Sequence, residues 1–445
     1  MPEDFGVIAM IGVLMALSNS LVDSGLASSL IRSKDVGDND YSTVFYFNLL
    51  VSIFLYLIIY VSSGLIADFF DLRILVKVTK VLCLVIVINA LGQIHRTRFV
   101  KELKFDTLFK INLPSSIISG VVGILLAFYG YGVWSLVYMT VIKSTLITIQ
   151  FWIYAKWFPL FTFSKSSFSR HFGFGVKLGF SSILNVLFQQ LYTIIIGKYY
   201  SAVSLGLYNR ANSLKQMPVN NFSSILKKVS YPLLAKMEGD VVRIKKATRK
   251  LTIVSVAIVT PILVLMGTLA EPLFSFLFTD KWLAAVPYFQ ILCISGILYP
   301  IHNFNLTVLN VLGRSDLFLK LEVIKKVMVI IAVVVCVPFG VEGLLWGAAV
   351  TSILALIVNS WYSNQLINYS IPSLFMDIAP YLLLGGLVVL TTSLLDKFTN
   401  NYLHLDIIRL TIGSTVGIII YVSSVYLLKL SAFTEIKMVL TKNKI

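Results

Sequence analysis

A chain of 445 residues with 57% hydrophobic and 13% charged side chains, at a mean hydropathy of +0.87, is not a soluble globular protein. Soluble domains carry about 25% charged residues. The net charge of +16 is spread over many loops rather than gathered in one patch, so it points to membrane topology and not to nucleic acid.

Apolar runs of membrane-crossing length recur from end to end. They predict an all-α polytopic membrane protein with thirteen helices near 5–30, 41–67, 74–95, 106–129, 132–156, 171–198, 204–229, 248–276, 284–312, 316–338, 341–366, 374–395 and 405–429. The connections are short. Met1-Pro2-Glu3-Asp4 places acids, not a basic region, before the first run, so no cleavable signal is expected. Cys83, Cys293 and Cys336 lie inside apolar runs and read as small core residues without disulfides. His95, His171, His302 and His404 show no ligand spacing, and neither a metal nor a cofactor is expected.

Basic residues follow the odd-numbered helices. The loops after helices 1, 3, 5, 7 and 9, with the C-terminal tail, hold 27 of the 37 lysines and arginines, which makes that side and the C-terminus cytoplasmic. The run Gly206–Phe222, GLYNRANSLKQMPVNNF, is too polar to read as a span by hydropathy. If it did not cross, every later loop would invert and the charge rule would break there. It is therefore predicted to cross. At 100° per residue, Asn209, Asn212, Ser213, Gln216, Asn220, Ser223, Ser224 and Lys227 share one stripe. Ala211, Leu214, Pro218, Phe222 and Ile225 share the opposite face. Arg210 and Lys215 flank the stripe at about 100° and about 120°. Arg210 is the better candidate for substrate and Lys215 for helix packing.

A weak repeat runs through the chain. Asp106, Lys110 and Gly130 recur as Asp316, Lys320 and Gly340 at one common offset. The two halves then share an orientation, with an axis along the membrane normal. Pairing by this offset leaves helix 6 without a partner and the first half one helix short. It divides the chain into an N-terminal lobe lacking its first helix (1–156), a six-helix lobe (157–370), and two extra helices with a tail (371–445). A fourteenth helix before Met1 is expected on this pairing.

Polar groups inside the spans mark the candidate site, because charge at mid-bilayer is costly and faces a cavity or a partner. The substrate-binding candidates are Lys77, Lys80, Lys143, Asn185, Gln189, Asn209, Arg210, Asn212, Ser213, Gln216, Asn220, His302 and Asn303, and Asp23 is the coupling-ion candidate. Asn19, Ser20, Ser24, Gln190, Asn305 and Asn310 add to the pattern. Simpler roles exist for several. Lys77 and Lys80 can snorkel outward, Asp23 can cap its helix or pair with Arg32 or Lys34, and Asn or Gln can tie helices together. An excess of inward cations with few acids suits an anionic substrate such as a diphosphate.

Gly206-Leu-Tyr-Asn-Arg-Ala211 with Pro218-Val-Asn-Asn-Phe222 resembles the bacterial oligosaccharide flippases of O-antigen, exopolysaccharide and capsule export. These belong to the multidrug/oligosaccharidyl-lipid/polysaccharide exporter superfamily. The likeness extends to Asp4-Phe-Gly-Val-Ile-Ala9, Asp23-Ser-Gly-Leu26, Tyr41-Ser-Thr-Val-Phe-Tyr-Phe-Asn48, Gly132-Val-Trp-Ser-Leu136 and Gly313-Arg-Ser-Asp-Leu-Phe-Leu319, and so to essentially the whole chain. It implies a V-shaped MATE-like bundle of two lobes in the bacterial cytoplasmic membrane. It implies alternating access that carries an undecaprenyl-diphosphate-linked oligosaccharide outward for surface polysaccharide synthesis, with a polymerase and chain-length machinery as partners. Two other readings stand beside it. A drug or cation antiporter of the same fold wants buried carboxylates that are missing here. A membrane glycan polymerase or ligase wants a long outer loop and a catalytic constellation, and neither is evident, so no enzyme is expected.

Overall fold

The computed structural model describes residues 1–445 except 24, 238, 403–404, 434 and 436–445; of 174, 176–178, 225–229 and 401–402 it describes only the backbone. Ser24, His404, the tail lysines 437, 442 and 444, and the side chains of Lys177 and Lys227 thus lie outside the described residues. All regular structure among the described residues is helical. Two compact units divide the chain, Met1–Gly206 and Leu207–Ile445.

The first unit contains α1 (Pro2–Asp23), α2 (Leu26–Arg32), α3 (Asp38–Val61), α4 (Ser63–Phe69), α5 (Ile74–Leu82), α6 (Leu84–Lys101), α7 (Phe105–Phe128), α8 (Val133–Ala155), α9 (Lys165–Gln189) and α10 (Leu191–Tyr199). It also contains the first turn of α11 (Ala202–Ala235). The breaks are local. Gly25 has φ +69 between α1 and α2, and α9 and α10 meet at Gln190 with a bend of 44°. The core of this unit gathers Leu26, Leu30, Tyr41, Phe45, Ile94 and Trp157. α9 packs on α1, α2 and α3.

The second unit contains the rest of α11, then α12 (Val241–Thr268), α13 (Ala270–Phe278), a 3-10 turn (Asp280–Ala285), α14 (Val286–Ile297) and α15 (Tyr299–Val311). It continues with α16 (Ser315–Cys336), a second 3-10 turn (Val337–Phe339), α17 (Gly340–Ile367), α18 (Ile371–Tyr402) and α19 (Asp406–Leu427). α18 packs on α12 and α19. At one end, Arg249 forks onto Asp377, with Nε 2.7 Å from Oδ2. The Tyr369 hydroxyl donates to that same Oδ2 at 2.7 Å. Burial, and then Asp377, push the Tyr369 phenol up, so it stays a donor. At another point of this unit, Arg409, 6% exposed, forks onto Asp396 at 3.0 and 2.9 Å and ties α19 to α18.

Taken across their short breaks, these helices coincide with the thirteen predicted rods. Among the described residues, ten segments are long and apolar enough to cross a bilayer unaided. One of the ten, Ser315–Ile367, is 53 residues, about 80 Å as a single helix, against a hydrocarbon core of about 30 Å. Gly340, at φ +79, turns it back, and α16 packs on α17, so it is a hairpin of two spans. The bent pair α9–α10 supplies another span. α11 is the rod that fails on hydropathy, as its polar sequence dictates.

The repeat has a structural echo. Gly130 closes the α7–α8 hairpin at φ +83, where Gly340 closes α16–α17. Positive φ costs glycine nothing and other residues about 1 kcal/mol or more. The expected lobe boundary at 156/157 and the observed division at 206/207 differ by one rod, α9–α10. That is the rod to which the repeat gives no counterpart.

Candidate functional site

In the first unit, polar groups collect along α1 and α9. Ser20 donates to Ser182 at 2.9 Å, and Asn19, Asn185 and Gln189 are exposed beside them. Asp23, at the end of α1, accepts from Gln93 Nε2 at 3.4 Å, with Arg96 the nearby cation. Lys143 on α8 is exposed and makes no ion pair among the described residues. Lys77 on α5 is exposed as well, whereas Lys80 turns to the Tyr60 ring at 4.5 Å. Lys77 and Lys80 thus have different surroundings.

The motif that begins at Tyr41 has a clear local task. The first turns of α3 receive the segment that follows α8. Trp157 Nε1 donates to Asp38 at 2.8 Å, Leu160 N to Ser42 Oγ at 2.8 Å, and Ser164 N to Thr43 Oγ1 at 3.1 Å. Thr162 Oγ1 donates to Asn39 at 3.1 Å. Arg98 lies between the Tyr41 and Trp157 rings, 5.2 and 5.0 Å from their centroids. Asp4-Phe-Gly6 and Gly206-Leu-Tyr are likewise joined. A Cβ on Gly6 would fall on the Ala202 carbonyl, and one on Gly206 on the Pro2 carbonyl. Two backbones cross there with no room for a side chain.

In the second unit, α11 exposes Ser213, Gln216, Asn220 and Ser224, and buries Ala211, Leu214 and Val219. Asn220 Nδ2 donates to Gln216 Oε1 at 2.9 Å. Asn209 and Asn212 are half-buried, and Ser223, placed on the stripe by the helical wheel, is 6% exposed. The exposed face is turned instead toward Met217 and Asn221. The cause is packing on the other side. The Lys215 stem passes Gly296 of α14, its Cδ 3.3 Å from where a Cβ would stand, and Val219 follows at 3.5 Å. Lys215 thus lies on the packing side, as the wheel suggested. The Arg210 guanidinium stacks on Phe278 and Trp282, 4.7 and 5.0 Å from the ring centroids. Stacking engages its faces rather than its N–H edge.

His302 is committed to a helix–helix network. Asn359 Nδ2 donates to its Nδ1 at 3.1 Å, and Ser352 Oγ faces Nε2 at 3.2 Å. About one turn on, Asn305 donates to Ser360 at 3.0 Å and accepts from Ser363 at 2.9 Å. Asn303 is half-buried, and its amide nitrogen has no hydrogen-bond partner among the described residues.

Sequence reasoning missed the group Ser29, Asp40 and His171, which α2, α3 and α9 bring together. In the sequence His171 is one of four histidines without ligand spacing. The one available signal was an acid in the first turn of a helix next to a motif residue, and that is too common to be specific.

Residues 1–287 match the family model described as polysaccharide biosynthesis protein. The chain is 26% identical to the teichuronic acid biosynthesis protein TuaB of Bacillus subtilis, over 90% of this chain and 84% of that protein. It is 26% identical to the lipopolysaccharide biosynthesis protein WzxC of Escherichia coli, over 85% and 75%. It is 24% identical to the succinoglycan biosynthesis transport protein ExoT of Rhizobium meliloti, over 94% and 85%. In fold it is similar to the lipid II flippase MurJ in an inward closed conformation, with a TM-score of 0.74 at 17% identity, over 95% of this chain and 92% of that one. An inward-facing MATE transporter follows at 0.63 and 15%, over 82% and 91%.

Proposed function

The chain belongs to the polysaccharide biosynthesis protein family, and from that premise we propose that it carries a lipid-linked oligosaccharide, held on undecaprenyl diphosphate, across the bacterial cytoplasmic membrane by alternating access. It is a transporter rather than an enzyme. Its C-terminus is cytoplasmic by the charge rule, and the glycan leaves toward a polymerase and its chain-length machinery. The observation that carries this reading is the polar surface retained on two rods of an otherwise apolar bundle. Ser213, Gln216 and Asn220 on α11, and Asn185 and Gln189 on α9, are exposed where lipid-facing side chains are apolar. Amides and hydroxyls of this kind suit sugar hydroxyls. Lys143 and Lys77 supply positive charge without a bound carboxylate among the described residues, which suits a diphosphate. Arg210, Asn209, Asn212, His302 and Asn303 are further candidates for substrate, and Asp23 is the candidate for a coupling ion.

Deletion of the coding sequence, followed by complementation, tests this. The expected result is a lipid-linked oligosaccharide that accumulates on the inner leaflet and disappears when the chain is restored. Unchanged surface polysaccharide, with no such intermediate, would sink the reading.

A further inference from the structure

Three side chains with no part in the transport reading meet inside the first unit. His171 on α9 is 0% exposed. Ser29 Oγ on α2 lies 2.9 Å from its Nδ1, and Asp40 Oδ1 on α3 lies 3.3 Å from its Nε2. Ser29 and Asp40 are themselves 5% and 6% exposed. Each ring nitrogen therefore has one oxygen opposite it. A neutral imidazole has one N–H and one lone pair. The Ser29 hydroxyl donating to Nδ1 uses the lone pair, while Nε2–H stands beside the carboxylate at 3.3 Å without making a hydrogen bond among the described residues.

Few charges face the ring. α3 presents Asp40, whose Oδ2 accepts from Gly37 N at 3.0 Å. α9 itself presents Arg170, with Nη1 3.9 Å from Asp40 Oδ1. α6 presents Lys101, whose Nζ donates to the carbonyls of Leu30 at 3.0 Å and Ser33 at 2.8 Å. Neither α1, α2 nor α10 adds a charge that acts on the ring among the described residues.

We propose that Ser29, Asp40 and His171 form a proton-binding site whose occupancy releases α9 from α2 and α3. A second proton on the ring converts Nδ1 from acceptor to donor, so the Ser29 hydroxyl must turn. It also places a positive charge where water does not reach, near Arg170 and Lys101. Asp40 offsets part of that cost. His171 in water bears none of it. His171 precedes the apolar stretch that starts at Gly179. Burial, offset in part by Asp40, holds its affinity for the proton below the ordinary imidazole value. The sign follows by linkage. A ring kept neutral by the fold contributes stability above about pH 6.5, its ordinary value, and that contribution is lost as pH falls. Acidification favours the state in which α9 has left.

Hydrogen exchange of the full chain in detergent tests this without reading transport, so it stands or falls apart from the glycan reading. Peptides from 165–189 are compared with peptides from 105–128 at pH 8, 7, 6 and 5, corrected for the intrinsic pH dependence of amide exchange. The α9 peptides are expected to lose protection selectively as the medium becomes acid. His171→Gln is expected to keep that protection throughout. Asp40→Asn, which removes the offset, is expected to lose it at higher pH than the wild type. Parallel loss in both segments, or an unchanged pH response in His171→Gln, would overturn the proposal. If His171→Gln does not fold, Asp40→Asn decides, and an unmoved midpoint overturns it.

Discussion

At the scale of single residues, the cations separate by what they touch. Lys143 touches no acid among the described residues, while Lys215 is spent on packing against α14 and Arg210 on two rings. Lys143→Ala is expected to lower surface polysaccharide by about tenfold or more, the loss of one charge-assisted contact, with protein abundance unchanged. A wild-type level of polysaccharide would remove Lys143 from the site. Arg210→Ala is expected to lower the melting temperature, since each ring contact contributes about 0.5–2 kcal/mol. If transport falls while melting does not move, Arg210 serves substrate rather than packing. Polarity and depth of these residues are legible in sequence because each is a property of its own rod. Their partners are not, since Phe278 and Trp282 lie on another element that only folding brings to Arg210.

At the scale of elements, the helical wheel placed the face of α11 nearly right and erred at Ser223. The wheel assumes that polar residues choose the exposed side, but here packing chose it. Val219 and the Lys215 stem settle on Gly296, and the helix rotates to let them. The Gly6–Gly206 crossing is a similar case. Both glycines stand in stretches that carried the family likeness, yet nothing in either stretch says that they meet. Gly206→Ala is expected to cost about 1–3 kcal/mol, as overpacking does, read as a lower melting temperature in detergent. Gly12→Ala, where an added Cβ meets nothing within 4 Å, is the control and should not lower the melting temperature. In the Tyr369–Asp377–Arg249 group, Asp377→Asn should destabilise by more than Tyr369→Phe. It breaks a two-pronged ion pair as well as the phenol's hydrogen bond.

At the scale of the whole molecule, topology is the testable quantity. Alkaline phosphatase fused after Gly340 is expected to be active, and fused after Lys236 inactive, if the charge rule holds for this chain. Reversed activities would mean that α11 does not cross. The rods and the polar character of α11 could be read from the chain, because span length and polarity are sums over neighbours in sequence. Which rods touch could not. In lipid, apolar faces are nearly interchangeable, and association depends on small-residue fit and a few polar contacts. The tertiary structure alone decided that α9 lies on α1–α3, that Gly6 meets the start of α11, and that His171 stands between Ser29 and Asp40. Each of these contacts needs two backbones brought close at one register, and a linear pattern of hydropathy and charge carries no term for that.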